Sequence, residues 1–388
     1  MDVTGTASDL ARFDPATWAD LVRAVVGDDD AELVSHAVEP IFIGIGTGTR
    51  LYRVTGTAST TPPMDWSLVI KVFTTEHLDF QSVSEDETAW DYWKREWQVY
   101  RSSWLPELDG PLIAPRCLGS GELTGENGPL AWVALEDLGH LPHRWPLAEF
   151  EDVASALGRF GGRYLAGATI PDEPWLAKHW LTGWTEQAAA TIDLLPVAAQ
   201  HPDASRVFPR EVGQSFRRLW DHRASVLAAL DELPSTFTHN DVFPRNLRRR
   251  SVGGSTGGVA IDWAYCGRAP VGAELAPLIG ASTALLGCPR SDWEELEHRS
   301  LAAYERGLRL SGWTGSTAEI RFGYLASVVL RYALGTLTPI LGLTLSPDDR
   351  AMVPLVFGCD FEEFVINTGA VTRMLHARVA EVLATAGI

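Results

Sequence analysis

The 388-residue chain is 46% hydrophobic and 21% charged, and its 15 Trp, 14 Phe and 8 Tyr exclude disorder as its main state. A formal charge of −18, from 32 basic against 50 acidic residues, disfavours nucleic acid and anionic membranes and mildly favours cationic small molecules. Cys117, Cys266, Cys288 and Cys359 form no C-x-x-C pair, and the start of the chain lacks the regions of a signal peptide, so a reducing, cytoplasmic setting is expected.

Residues 1–37 read as a helical extension, started by Asp14-Pro15, with Trp18, Leu21, Val22 and Val25 on one stripe. Strand signals follow at Ile41–Val54, around Gly44, Gly46 and Gly48, and at Ser67–Phe73. The 3-4-3-4 spacing of Trp90, Trp93, Trp97, Tyr100 and Trp104 predicts a helix over Ser82–Leu105 with a core-facing stripe. Strand character resumes at Leu112–Leu123 and Leu130–Gly139, so 38–138 is expected to form a small lobe. From 139 to 388 the pattern is mainly helical, beginning with Ala148–Gly167. Ser235–Arg250 and Val259–Gly267 break it as a strand, turn and strand. The apolar run Leu325–Leu345 is interrupted by Arg331, Gly335, Thr338 and Pro339, and reads as a core helix plus a loop rather than a membrane span.

Residues suited to chemistry recur along this plan. Gly44, Gly46 and Gly48 let backbone N–H groups approach phosphate, although the same pattern makes an ordinary hairpin. Lys71, one of only three lysines, lies in a strand interior, where a charge needs a partner or an edge from which to reach water. Glu96 stands beside the aromatic stripe and is the preferred partner, with Glu87 and Asp91 as rivals. In His239–Asn246, Asp241 and Asn246 flank Pro244; they suit a loop with one acceptor for a substrate proton and one amide for a metal, or simply turn caps. Asp262, in Ile261-Asp262-Trp263, adds a carboxylate. So few hard oxygen ligands fit Mg²⁺ shared with a nucleotide better than Zn²⁺ or Ca²⁺. Glycine loop, strand Lys, helix Glu, D-x4-N and Asp stand in the order that kinase-type phosphoryl transfer needs.

On these motifs the chain resembles the aminoglycoside phosphotransferase/choline kinase-like family. His239–Asn246 matches its H-G-D-x4-N loop, Ile261–Trp263 its I-D-W motif, Lys71 and Glu96 its phosphate-anchoring pair, and Glu274 its later acidic residue. Asn240 replaces the usual Gly, and Ala264 stands where an acidic residue is usual. The resemblance implies an α+β, bilobal protein-kinase-like fold, with an antiparallel-sheet N-lobe and a mainly helical C-lobe. It further implies an ATP- and Mg²⁺-dependent phosphotransferase acting on a small-molecule hydroxyl. Asp241 would be the catalytic base. Asn246 and Asp262 would hold the metal, while Gly44, Gly46, Gly48, Lys71, Glu96, and Glu136 and Leu138 of a hinge would serve the nucleotide. The aromatic segment Pro174–Trp184 suits a cationic or sugar-like acceptor through cation–π contacts, or else belongs to the core. The alternative is a nucleotide-binding pseudokinase with a scaffolding role.

Overall fold

The computed structural model describes residues 9–41, 49–75, 83–105, 110–126, 128–139, 145–252, 255–284 and 293–388. The predicted glycine loop at Gly44, Gly46 and Gly48 lies outside the described residues. The chain divides into two compact units, Met1–Leu108 with Ile113–His140, and Asp109–Leu112 with Leu141–Ile388.

In the first unit, α1 (Pro15–Val26) starts where the Asp14 carboxylate accepts the Thr17 N–H at 2.7 Å and Pro15 supplies a preset φ; Gly27, at φ 77°, ends it. Strands β1 (Leu33–Ile41), β2 (Thr49–Ala58), β3 (Met64–Thr74), β5 (Cys117–Thr124) and β6 (Pro129–Glu136) form an antiparallel sheet in the order β1-β2-β3-β6-β5, and the two-residue strand β4 (Leu112–Ile113) is not part of it. Alternation along β3 turns Trp66, Leu68, Ile70 and Val72 towards one face, where Phe13, Trp18, Leu21 and Val22 cover them. Residues 9–37 thus belong to the same compact unit as the sheet. The α1 stripe joins the apolar cluster on the sheet, and residues from Leu33 to Ala37 pair with β2.

Lys71 and Phe73 point to the opposite face, and there the predicted long helix is corrected. Among the described residues of that segment, only α2 (Arg95–Arg101) is helical. Ser84 and Asp86 draw the N–H groups of Asp86 and Thr88 into side-chain turns, at 3.1 and 2.9 Å. The Arg95 guanidinium takes the carbonyls of Ala89 and Trp90. Backbone groups satisfied by side chains have no need of a helix. The aromatic stripe still reaches the core at Trp97 and Tyr100.

The second unit is mainly helical. Helix α3 (Leu147–Leu165) lies against Trp293–Leu310 at a glycine crossing; a Cβ at Gly158 would stand 2.1 Å from the Tyr304 carbonyl, and one at Gly307 2.2 Å from that of Ser155. Thr317–Val328 runs on through π-helical turns at Val329–Leu337. By length and composition Thr317–Leu345 could cross a membrane, yet 67% of its most apolar window is buried within the chain. Set among the helices are two short ladders. β7 (Ser235–Thr238) pairs with β10 (Gly267–Pro270), and β8 (Leu247–Val252) pairs with β9 (Ser255–Ala260).

Candidate active site

The ladder registers create the site. Thr238 faces Gly267 at the end of one ladder, and Leu247 faces Ala260 at the start of the other. The loops 239–246 and 261–266 therefore span the same gap, held at both ends. The Ile261 N–H donates to the Asn246 carbonyl at 2.9 Å, and the Asn240 amide donates to the Tyr265 carbonyl at 2.9 Å. His239 is fully buried; its Nε2 meets the Ile261 carbonyl at 3.0 Å, and its ring centroid lies 4.5 Å from that of Trp263.

Two non-glycine residues in these loops adopt left-handed backbone, Asn240 at φ 64° and Asp262 at φ 65°. Asn tolerates this conformation better than most residues, which explains how it stands where the resemblance has Gly. The Thr238 hydroxyl donates to the Asn240 side-chain oxygen at 2.7 Å and helps to hold the turn. Asp262 is a less usual occupant, and such strain collects at functional sites because the surrounding structure must over-determine it.

Asp241 is 7% exposed, and both carboxylate oxygens are engaged. Oδ2 accepts the Asn246 amide at 2.9 Å, and Oδ1 pairs with the guanidinium of Arg331. Burial pushes the Asp241 carboxyl above its ordinary value; Arg331 and the Asn246 bond pull it down, and the Asp262 carboxylate raises it again. Burial opposes the charge on Arg331, but Tyr332 and Asp241 hold the guanidinium above its ordinary value. Beneath the loop, the buried Glu274 carboxylate accepts the His239 N–H at 2.9 Å, and desolvation pushes its carboxyl up to about 8.

The other predicted residues lie in the sheet unit. Lys71, on β3, forms an ion pair with Glu96, on α2, both side chains being nearly sealed from water. The rivals Glu87 and Asp91 lie in the turns before α2. Glu136 closes β6 and accepts the Arg116 N–H at 3.0 Å. Between Glu136 and Leu138, the Asp137 carboxylate receives Arg53 Nε at 2.8 Å, Ser67 Oγ at 2.5 Å and Gly139 N–H at 2.8 Å, which fixes the segment after β6.

Arg331 escaped the sequence reading as a site residue. Its one signal was its standing as the sole charge in Leu325–Leu345. The Pro174–Trp184 segment is largely core: Trp175 and Trp180 are buried, and Ala177 bridges to β10. A Cβ at Gly267 would lie 1.9 Å from the Ala177 carbonyl, so glycine permits this approach. The bridge brings α4 (Trp180–Glu186) beside Tyr265.

The order of these motifs and the geometry of the paired loops agree with a broader match. The sequence pattern of the phosphotransferase enzyme family, APH, matches residues 43–315. The chain belongs to this family. No curated protein matches it in sequence. Among solved structures, an amicoumacin kinase in complex with AMP-PNP, Ca²⁺ and Ami is 13% identical with a TM-score of 0.53, covering 95% of this chain and 96% of that one. A microcompartment-associated aminopropanol kinase is 14% identical with a TM-score of 0.51, covering 96% and 99%. A choline kinase from Cryptosporidium parvum Iowa II is 14% identical with a TM-score of 0.51, covering 96% and 97%. At such identities the likeness speaks to the fold, which for this APH-family chain is α+β and protein-kinase-like, with one antiparallel-sheet unit and one mainly helical unit.

Proposed function

We propose that the protein transfers the γ-phosphoryl group of ATP to a hydroxyl of a small molecule. The observation that carries this reading is the loop pair itself: a buried Asp241 carboxylate tied to Asn246, with Asp262 on the facing loop. Family membership and the fold support it.

Asp241 aligns the acceptor hydroxyl and takes its proton as the new P–O bond forms; the bond from the γ-phosphorus to the bridging oxygen breaks, and ADP leaves with that oxygen. A carboxylate held at both oxygens keeps one orientation, which is the positional part of catalysis. Lys71, aimed by Glu96, contacts the nucleotide phosphates, and backbone groups of Glu136–Leu138 meet the base. Gly44, Gly46 and Gly48 belong to the phosphate loop in the same scheme.

Asn246 and Asp262 fit a hard divalent cation. Both Asn246 N–H bonds run to Asp241, so its amide oxygen would be the atom offered to the cation, with the Asp262 carboxylate as the second ligand. So small a set of hard oxygen ligands suits Mg²⁺ carried by the nucleotide. Mg²⁺ bound there supplies charge neutralisation as the phosphoryl group moves.

The acceptor is a small hydroxyl compound, and the acidic surface steers cationic molecules towards the protein without fixing which group meets Asp241. An ATP-consumption screen of the purified chain against sugars, aminoglycosides, amino alcohols and nucleosides tests the reading. Acceptor-dependent ADP release with a phosphorylated product supports it; ATP binding without turnover on any acceptor points to the pseudokinase.

A further inference from the structure

The Trp180, Trp184 and Tyr265 rings form a mutual cluster, with centroids 5.6 Å apart for Trp180 and Tyr265, 6.0 Å for Trp184 and Tyr265, and 6.4 Å for the two tryptophans. Aromatic faces of this kind attract a cation through their quadrupoles. Here the cation comes from the chain. The Arg331 guanidinium carbon sits 4.8 Å from the Trp180 ring centroid and 6.0 Å from that of Trp184, and the Tyr332 ring is 5.5 Å away. The same guanidinium donates to the Asn240 carbonyl at 2.7 Å and pairs with the Asp241 carboxylate. Arg331 is 7% exposed, so its charge is little screened by water.

We infer that Arg331 is a specificity-determining residue: it fills the aromatic recess beside Asp241 with an internal cation and so excludes acceptors whose ammonium group lies close to the reacting hydroxyl. This rests on the phosphotransferase reading of Asp241. A compact amino alcohol with its hydroxyl at Asp241 would have to bring its ammonium to within a few ångströms of a guanidinium already bonded there. Two like charges at that range in a poorly hydrated site repel strongly. The attraction offered by the rings and by the carboxylate is already taken up by Arg331. Acceptors presenting a neutral polyol or sugar-like end meet no such conflict, and a remote cationic group is still served by the acidic surface.

The recess can be probed without any turnover. Tetramethylammonium and guanidinium are titrated into wild type, Arg331→Ala and Arg331→Lys at matched ionic strength, with calorimetry and tryptophan fluorescence as readouts. Arg331→Ala opens a cation-sized space walled by Trp180, Trp184 and Asp241, and should bind both ions at least about 10-fold more tightly than wild type. Arg331→Lys keeps the charge and should stay as weak as wild type, which a merely structural loss of the arginine would not predict. Arg331→Gln, neutral and closer in shape, replaces the alanine variant if that one does not fold. Equal affinity in wild type and the neutral variant overturns the inference, as does saturable tetramethylammonium binding to wild type that quenches the tryptophans. The acceptor screen gives the other arm. Efficient wild-type phosphorylation of choline or ethanolamine defeats the recess and leaves the phosphotransferase reading standing. An opened recess in a chain that phosphorylates nothing defeats that reading instead.

Discussion

The Asn246 side-chain amide donates to two acceptors of one residue, the Asp241 main-chain carbonyl at 3.0 Å and its carboxylate Oδ2 at 2.9 Å. The amide thereby locks the carboxylate rotamer and leaves its own oxygen for a cation. Replacing it by a carboxylate keeps the oxygen ligand but sets two like charges at hydrogen-bond range. The second ionisation of the pair is then pushed above that of Asp241 alone, because it must place a carboxylate beside one already charged. Asp241 must be ionised to accept a proton, so Asn246→Asp should move the acid limb of the kcat/KM profile to higher pH. A pH–rate profile of both proteins on an identified acceptor checks this, and an unmoved limb would separate Asn246 from the base.

Lys71 and Glu96 form a buried pair, and breaking such a pair from one side leaves a charge without compensation. Lys71→Ala should therefore destabilise the sheet unit by about 3–5 kcal/mol, and Glu96→Ala similarly. The double variant should cost less than the sum of the two, since it buries no orphan charge. Denaturant unfolding of the four proteins reads the coupling. Lys71→Arg keeps the charge but not the compact ammonium, and should not restore nucleotide affinity in full.

How far the sequence disclosed this molecule depends on whether a feature is local. The β3 lysine, the D-x4-N loop and the I-D-W strand end are local patterns, and the partner Glu96 follows from its place beside a stripe of aromatic residues. The long helix failed because periodicity cannot see Ser84, Asp86 and Arg95 taking backbone groups away from helical bonding. The amphipathic stripe of α1 shows that the helix needs a partner surface and does not say that this surface is the sheet. Arg331 was beyond reach for a different reason. It lies 90 residues from Asp241, and only the packing of the π-helical turns against the loop brings the two together. Among aromatic segments, Pro174–Trp184 carried both readings in the sequence, and burial of Trp180 with an arginine on its face favours the core.

Glu274 ties the loop to the helical unit, and its carboxyl is pushed from an ordinary 4.5 to about 8 by burial. A folded-state value above the unfolded one means that folding favours the protonated form. The contribution is complete below the unfolded value and is lost as pH rises through the folded one, here between about 4.5 and 8. Wild type should thus lose stability across that window, by about 1.4 kcal/mol for each unit of difference. Glu274→Gln keeps an oxygen for the His239 N–H and removes the titration. Thermal unfolding across the window should show a steeper fall for wild type than for the glutamine variant; parallel curves would mean that Glu274 stays ionised in the fold.

Asp241→Asn is the substitution on which the enzyme and pseudokinase readings part. The carboxylate gives one oxygen to Arg331 and the other to Asn246, so both neighbours are donors. An asparagine has one oxygen to offer, and its NH₂ group must then face a donor. That mismatch should cost about 1–3 kcal/mol of stability, within what a folded chain of this size tolerates. The nucleotide is assigned to Lys71, Glu96 and the segment after β6, all in the sheet unit, so ATP affinity should survive almost intact. Phosphoryl transfer should fall by about 10²–10⁴-fold, the usual loss when a positioned acid–base group can no longer take the proton. Calorimetric ATP binding and turnover on an identified acceptor, measured on both proteins with folding checked by circular dichroism, decide the matter. Equal transfer rates would remove Asp241 as the base. A wild type that binds ATP yet shows no acceptor-dependent turnover would leave the substitution nothing to abolish, and the scaffold reading would stand in its place.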